Sequence, residues 1–507
     1  MAKPASCLSD DPETLKAQLV EAQAENERLR QIILAMQRHR FGRRAESLPE
    51  DQLLLGLEEA EQVEAAGFAA DEAEPAKKAV WVGKRRTNRG ALPAHLPRVE
   101  TLVDIDGTAR PCCSGARHKI GEDVSERLDV VPAQFQVLVI RRPRYACRAC
   151  EDAFVQALAP ARLIEGGLPT DALVAQVLVS KYADHLPLYR QAQIFARQGV
   201  VLDRSTLADW VGRAAFLLRP VHERLLETLK RSGKLFADET TAPVLDPGRG
   251  RTKTGQLWAY ARDDRPWGGS DPPGVAYVYA PDRTASRPIA HLAGFEGVLQ
   301  VDGYAAYEVL AKDGAIRLAY CWSHSRRLFY ELGPASLIAT EALARIAALY
   351  RIEAEIRARP ADERRAVRQE RSRPVIEALE PWLREKLGLV SRKSKLADAI
   401  RYALSRWAGM SLFLDDGRVE IDSNIVERAI RPLALNRKNA LFAGSDGGGQ
   451  HWAVIASLIE TCKLVGVEPH AYLADVITRI VEGHPQRRLD DLLPWAYPVM
   501  PALRAVA

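Results

Sequence analysis

The chain has 507 residues, too many for one hydrophobic core, which predicts three or four domains. Lys and Arg together number 71 against 66 for Asp and Glu, and this mild basic excess permits a nucleic-acid partner without requiring one. The sequence shows neither a bilayer-length apolar run nor a signal peptide, so we expect no membrane partner and a cytoplasmic location, and seven cysteines argue against a disulfide framework.

Residues 10–46 predict a helix in which apolar or small side chains recur every three or four residues. Asn26 lies in the same stripe, where it would fix the register of a two-stranded coiled coil. We interpret the segment as a pairing helix, the alternative being an amphipathic helix packed on its own domain. Its basic end is either solvated or in contact with DNA phosphates, through Arg40, Arg43 and Arg44. An acidic linker over 47–95 follows.

Residues 96–160 predict a small cysteine unit with a strand at 135–141. Cys147 and Cys150 form a Cys-x-x-Cys pair, and Cys112 and Cys113 lie upstream. Four thiolates suit Zn²⁺, but adjacent cysteines do not easily ligate one tetrahedral ion. The unit therefore either holds zinc or folds without metal.

Residues 161–232 predict a helical region that contains a helix-turn-helix. The first helix covers 188–198, Gly199 makes the turn and Ser205 is the expected N-cap of the second helix. Bihelical units are also common in plain helical domains, so DNA binding, with Arg204 as a candidate contact, is one of two interpretations.

The segment 233–460 predicts strands separated by short turns and helices. Three strands in hairpin order, a helix, a strand, a helix and a strand are typical of a ribonuclease-H-like α/β core. An all-helical insertion at about 335–410 interrupts this order, and a C-terminal element covers 461–507, so the predicted fold class is multidomain α+β. The predicted elements are strands 235–237, 257–261, 275–280, 298–301 and 317–322, with a helix at 286–293.

Two carboxylates, Asp238 and Asp302, directly follow predicted apolar strands. If these strands are neighbours the carboxylates meet, and they repel unless cations lie between them. Two Mg²⁺ or Mn²⁺ ions meet this need and can activate a nucleophile at a phosphodiester. The alternative for each residue is an ordinary turn-forming Asp.

Glu427 lies on a predicted helix whose Val426 and Ile430 share an apolar face. It either completes a metal-binding triad or is a surface residue with an ordinary helical partner. The same helix carries basic residues expected to hold phosphates: Arg428, Arg431, Arg437 and Lys438.

Cys321 and His324 form a Cys-x-x-His pair at and just beyond the fifth predicted strand. This is half a zinc site without an evident second half, which favours a structural role beside the active site. Alternatively, His324 contacts DNA phosphates together with Arg326 and Arg327.

Four segments together resemble the catalytic blocks of transposases of the insertion-sequence family sixty-six. They are 237–241 (ADETT), 301–304 (VDGY), 321–324 (CWSH) and the block 422–445, which contains Glu427 and is the most specific. The resemblance covers nearly the whole chain. It implies a ribonuclease-H-like fold whose Asp-Asp-Glu triad falls on Asp238, Asp302 and Glu427.

The resemblance further implies an enzyme that binds terminal inverted repeats and cuts and rejoins double-stranded DNA, including a target. A dimer or larger synaptic complex, nucleoid association and two small accessory proteins would follow. The chain departs from the family pattern at Arg110, where a cysteine is expected, and at Thr241, where proline is more frequent. Two rivals are a catalytically silent DNA-binding derivative and a structure-specific nuclease on the same fold.

Overall fold

The computed structural model describes residues 134–146, 154–246, 251–333 and 336–498. All of them lie in one compact unit, Leu128–Arg504. The predicted coiled coil with Arg40, Arg43 and Arg44, the linker and the four cysteines of the cysteine unit lie outside the described residues. No described helix is long and apolar enough to cross a membrane.

The first described segment forms a two-stranded antiparallel sheet, β1 (Arg144–Ala146) with β2 (Phe154–Gln156). The strand predicted at 135–141 is wrong, because this stretch has no regular structure and Val137 is 87% exposed. Alternating apolar residues predict a strand only where a sheet offers a face to pack on. Phe135 instead packs edge-on against Phe195, with ring centroids 5.0 Å apart.

Three helices follow, and the second and third have the predicted bihelical order. Gly199, with φ of +78°, makes the turn between them, a conformation that glycine adopts without steric penalty. The third helix begins one residue before Ser205, and its N-cap is Asp203, so the predicted cap was wrong. The helices are α1 (Asp171–Tyr182), α2 (Leu188–Arg197) and α3 (Arg204–Lys230).

A five-stranded mixed sheet forms the centre, in the order β5-β4-β3-β6-β7. The β3, β4 and β5 strands are antiparallel, whereas β6 and β7 run parallel to β3. The last strand stops at Tyr320, so its predicted extension to Trp322 was wrong: Trp322 begins a helix. The strands are β3 (Lys234–Asp246), β4 (Arg251–Arg262), β5 (Gly274–Ala280), β6 (Gly297–Val301) and β7 (Ile316–Tyr320).

Short helices follow the last three strands, and a helical insertion comes next. Its apolar core includes Val298 of β6 and Ala319 of β7, so the insertion packs on the parallel side of the sheet. These helices are α4 (Ser286–His291), α5 (Ala305–Leu310), α6 (Trp322–Tyr330), α7 (Leu337–Glu355), α8 (Ala361–Val367), α9 (Arg373–Leu389), α10 (Lys395–Ser405) and α11 (Trp407–Ser411), with a π-helical turn at Arg368–Ser372.

The last three helices return to the main core, where α12 packs on β3 and β4. The second of them, α13, covers the edge strand β5 and hydrogen-bonds its backbone. Ser457 Oγ accepts from the Tyr277 amide at 2.7 Å, and Thr461 Oγ1 bonds both the amide and the carbonyl of Val275. The edge is thereby protected from pairing with another chain. The helices are α12 (Asn424–Ala440), α13 (Asp446–Val465) and α14 (Pro469–Val481).

Candidate functional site

The strand register places Asp238 and Asp302 side by side. In the parallel pair of β3 and β6, Phe236 lies opposite Gln300, and each aspartate follows two residues later. The sequence suggested that Asp238 follows the end of its strand, and this was wrong. The β3 strand continues to Asp246 and pairs Asp238 with Ala259 of β4. Only the pairing with β6 ends before Asp238. The two carboxylates therefore lie where β3 and β6 separate.

The electrostatics of Asp238 reflect this crowding. Burial, followed by the neighbouring charges of Asp302 and Glu239, raises the pKa of Asp238 to about 8, against an ordinary value of 3.8. A hydrogen bond of 2.8 Å from the Glu239 amide acts in the opposite direction, and the charge of Glu427 adds to the rise. The site thus holds more negative charge than its own partners neutralise, which favours a cation there.

Glu239 is a further carboxylate beside the pair, but it has partners of its own. Its side chain is 2% exposed, forms an ion pair with Arg283 and accepts a 3.0 Å hydrogen bond from Tyr307. Arg283 in turn lies 3.9 Å above the ring of Tyr304. Burial raises the pKa of Glu239 while Arg283 lowers it. Glu239 therefore anchors a cationic side chain, itself about half exposed, near Asp302.

The turn that carries Asp302 is held by the helical insertion. Asp302 Oδ1 accepts from the Tyr304 amide at 2.9 Å, and the hydroxyl of Tyr402 on α10 donates to the Asp302 carbonyl. Arg406 donates to the Gly303 carbonyl at 3.0 Å. Gly303 has φ of +105°, and a Cβ there would lie 2.5 Å from Arg406 Nε, so glycine is required. Residues a hundred positions away thus fix this turn.

Glu427 lies in the first turn of α12, with its side chain 36% exposed. As predicted, Val426 is buried and Ile430 packs against the core, so Glu427 borders the apolar face. Its Oε1 accepts a 3.2 Å hydrogen bond from Ser423 Oγ and lies 3.8 Å from His324 Nδ1. The Ser423 hydroxyl thereby orients the acid, and the His324 ring lies beside it.

Cys321 and His324 lie at the start of α6, next to Glu427. Val301 at the end of β6 pairs with Tyr320 at the end of β7. The next residues, Asp302 and Cys321, therefore leave the sheet side by side. The Cys321 thiol accepts a 3.2 Å hydrogen bond from the Ser423 amide, and burial raises its pKa to about 12. The ligand atoms of Cys321, His324 and Glu427 all lie within 4.8 Å of one another. The sequence did not reveal that Glu427 lies beside the Cys-x-x-His pair.

The basic residues of α12 lie on two different faces. Glu427, Arg431 and Lys438 are separated by four and seven residues, so they follow one face, and both cations are exposed. Arg428 is exposed beside them. Arg437 instead points to β3, where it donates to the carbonyl of Thr241 and, at 2.6 Å, to its hydroxyl.

Among the described residues, the remaining predicted cations are exposed at two other places. Arg326 and Arg327 lie on α6, where Arg326 lies over the ring of Tyr330 and Arg327 bonds Glu331 at 3.2 Å. Arg204 is the first residue of α3. Arg326 and Arg327 therefore share a helix with His324, whereas Arg204 lies in the helical region that precedes the sheet.

Sequence reasoning missed five residues that position this site: Glu239, Arg283, Tyr402, Arg406 and Ser423. Glu239 and Ser423 lie inside motif segments, so their neighbourhood was a usable signal. Arg283, Tyr402 and Arg406 carry no local signal, because only folding brings them to the carboxylates.

Comparison with known families accounts for most of the chain. Residues 166–451 match the family described as Transposase IS66 family, and residues 457–495 match the IS66 C-terminal element. Residues 111–151, which contain Cys112, Cys113, Cys147 and Cys150, match the zinc-finger binding domain of transposase IS66. Residues 28–101 match a segment described as Transposase C of IS166 homeodomain.

Three relatives from Sinorhizobium fredii (strain NBRC 101917 / NGR234) align over most of their length. The uncharacterized protein y4qI is 47% identical over 96% of this chain and 92% of the relative. The uncharacterized protein y4jD is 50% identical over 80% and 82%, and y4hP is 39% identical over 88% and 84%. These matches, with a family match that covers more than half of the chain, show that the protein belongs to the IS66 family of transposases.

Proposed function

We propose that this transposase cuts and rejoins DNA at a divalent-cation site formed by Asp238, Asp302 and Glu427 on a ribonuclease-H-like core. The observation that carries the proposal is the pairing of two carboxylates where β3 and β6 separate, with the pKa of Asp238 raised to about 8. The sheet order, with three antiparallel strands and two parallel ones, supports this assignment of the fold.

The residues fit two Mg²⁺ or Mn²⁺ ions. All three side chains offer carboxylate oxygens, the ligands that such hard cations prefer, and their mutual repulsion is what cations would relieve. When bound, a pair of such ions activates water or a 3′-hydroxyl and stabilises the leaving oxygen of a phosphodiester.

The surrounding side chains orient the carboxylates and the DNA. Tyr402 and Arg406 fix the turn that carries Asp302, and Ser423 directs Glu427. Arg283 is fixed by Glu239 and Tyr304 and offers a cation to a phosphate near Asp302. The exposed Arg428, Arg431 and Lys438, with Arg326 and Arg327 on α6, extend a basic surface along which the DNA backbone would lie.

The rest of the chain would supply recognition and assembly. We assign inverted-repeat binding to the zinc-finger segment, with Zn²⁺ on its cysteines, and to α2 and α3 with Arg204. The N-terminal helix would pair two subunits in a synaptic complex on the nucleoid, and two accessory proteins of the element would join it. The division at about residues 46, 95, 160, 232 and 460 is part of this proposal.

The decisive experiment is a nicking assay with the full chain, Mg²⁺ or Mn²⁺, and labelled duplex carrying the repeats that flank the gene. We expect a nick at the 3′ end of the repeat. It should fall more than about 100-fold in Asp302→Asn, since even the outer partners of metal ligands contribute about 10- to 100-fold. Binding of the repeat should persist in the variant.

Glu308→Gln, which removes an exposed carboxylate of the nearby α5, serves as the matched control and should cleave normally. Cleavage that survives Asp302→Asn would overturn the assignment of the triad. Repeat binding by the unmodified chain without any nick, even with the accessory proteins, would identify a silent DNA-binding derivative. Preference for branched DNA over repeat ends would identify a structure-specific nuclease.

A further inference from the structure

A second group of metal-ligating atoms adjoins the carboxylate pair. It consists of the Cys321 thiol, the His324 ring and the Glu427 carboxylate, contributed by the start of α6 and the first turn of α12. Among the residues that the structure describes, it is the one group of three or more His, Cys, Asp or Glu side chains whose ligand atoms all lie within 4.8 Å of one another.

The chemistry of this group differs from that of Asp238 and Asp302. One sulfur, one ring nitrogen and one carboxylate oxygen suit a borderline-soft cation such as Zn²⁺, whereas Mg²⁺ prefers oxygen alone. Ligands around a tetrahedral Zn²⁺ lie roughly 3.3–3.6 Å from one another, given bonds of about 2.0–2.3 Å. The 3.8 Å between His324 Nδ1 and Glu427 Oε1 is already close to this separation.

An independent observation also points to a ligand. His324 Nδ1 is buried from solvent and has no hydrogen-bond partner, because Glu427 is too distant to accept from it. Buried polar atoms are normally satisfied, so an unpartnered ring nitrogen that faces a thiol and a carboxylate calls for an explanation. The Ser423 amide donates to Cys321 Sγ and holds the thiol in place for such a ligand.

We propose that Cys321, His324 and Glu427 bind a thiophilic divalent cation of the Zn²⁺ class, and that this ion inhibits DNA cleavage by withdrawing Glu427 from Asp238 and Asp302. The inhibitory half rests on the proposed function, in which Glu427 completes the Mg²⁺ site. Glu427 Oε1 already lies on the side of Cys321 and His324, so a cation bound there would hold the carboxylate on that side and open the triad. The protein would then respond to the ratio of zinc to magnesium.

The binding test uses Co²⁺ as a coloured substitute for Zn²⁺, titrated into the full chain after metal removal. Co²⁺ bound to a thiolate gives a charge-transfer absorption, and bound ions are counted by elemental analysis. Cys321→Ser and His324→Ala should each lose one tightly bound ion relative to the unmodified chain. Cys462→Ser, which removes another buried thiol far along the sequence, is the matched control and should lose none.

Circular dichroism establishes whether each variant is folded. If Cys321→Ser does not fold, the ion count of His324→Ala tests the metal site. The same ion count in His324→Ala and in the unmodified chain would overturn the site. This result does not depend on nicking, so it is distinct from a failure of the proposed function.

The inhibition test adds Zn²⁺ to Mg²⁺-supported nicking, with each protein compared with its own zinc-free rate. Half-inhibition of Cys321→Ser should need about tenfold more Zn²⁺ or higher, because a ligand of the inhibitory ion is gone. Cys462→Ser should behave as the unmodified chain does. Equal zinc sensitivity in Cys321→Ser, despite a lost ion, would overturn the inhibitory role.

Discussion

Two regions of this molecule bury ionisable groups, and they do so in opposite ways. In the helical insertion, Arg368 donates to both oxygens of Glu353 at 2.7 Å, and Arg364 bonds Glu420 at 2.7 Å. Both guanidinium groups are almost fully buried and balanced by carboxylates. Where β3 and β6 separate, Asp238 and Asp302 lie together, and the Arg283 cation nearby is already engaged by Glu239.

The two arrangements of buried charge respond differently to a further ion. A balanced buried pair gains nothing from a further ion, and removing one partner leaves a charge without compensation. An unbalanced pair of carboxylates is destabilised until a cation or protons arrive. Removing one charge of a balanced pair should therefore destabilise the fold, whereas removing one carboxylate of the unbalanced pair should relieve repulsion.

The largest effect is expected from Arg368→Ala in the insertion. It leaves Glu353 buried without its two-point partner and should lower the free energy of unfolding by about 3–5 kcal/mol. Chemical denaturation followed by tryptophan fluorescence measures the change. Arg384→Ala, in an exposed pair with Glu380 of the same insertion, is the control and should lose less than about 0.5 kcal/mol. Equal losses in the two variants would contradict the comparison.

A smaller effect is expected where the insertion contacts the site. Tyr402→Phe removes the hydroxyl that donates to the Asp302 carbonyl and should loosen the turn. We expect nicking to fall about 10- to 100-fold, as for other outer partners of metal ligands, with a higher Mg²⁺ requirement. The loss in stability should be only about 1 kcal/mol. Tyr330→Phe, at an exposed position of α6, is the control and should change neither nicking nor stability. An unchanged Mg²⁺ requirement in Tyr402→Phe would argue against a positioning role for Tyr402.

A further effect is a pH dependence of stability in metal-free protein. The pKa of Asp238 is about 8 in the folded chain and has an ordinary value of 3.8, so the folded state holds the proton more tightly. The contribution of this residue is therefore fully present below the ordinary pKa of 3.8, and it is lost progressively as pH rises from there to about 8. The thermal midpoint should fall less steeply over this range in Asp238→Asn than in the unmodified chain, measured with a chelator present.

Mg²⁺ provides the second arm of that measurement. It should restore the thermal midpoint of the unmodified chain at high pH, because it replaces the lost proton, and should do less for Asp238→Asn. Identical pH slopes for the two proteins would mean that the carboxylate pair is not electrostatically strained.

The sequence anticipated the features that depend on local pattern. Apolar runs predicted the five strands of the central sheet, and the spacing of Val426 and Ile430 predicted the packed face of α12. The failures have a common cause. The strand at 135–141 and the length of β3 depend on which partner strand is present, and a single segment does not contain that information.

The amino-acid sequence by itself determined the family, because a family match compares residues in their linear order. Only the tertiary structure decided how Asp238, Asp302 and Glu427 are arranged. Register between β3 and β6 aligns the two aspartates, and folding returns Tyr402 and Arg406 to the Asp302 turn across a hundred residues. It also brings Glu427 to Cys321 and His324. The physical reason is that pKa shifts, bracing hydrogen bonds and ligand sets depend on distances in space, which separation along the chain does not encode.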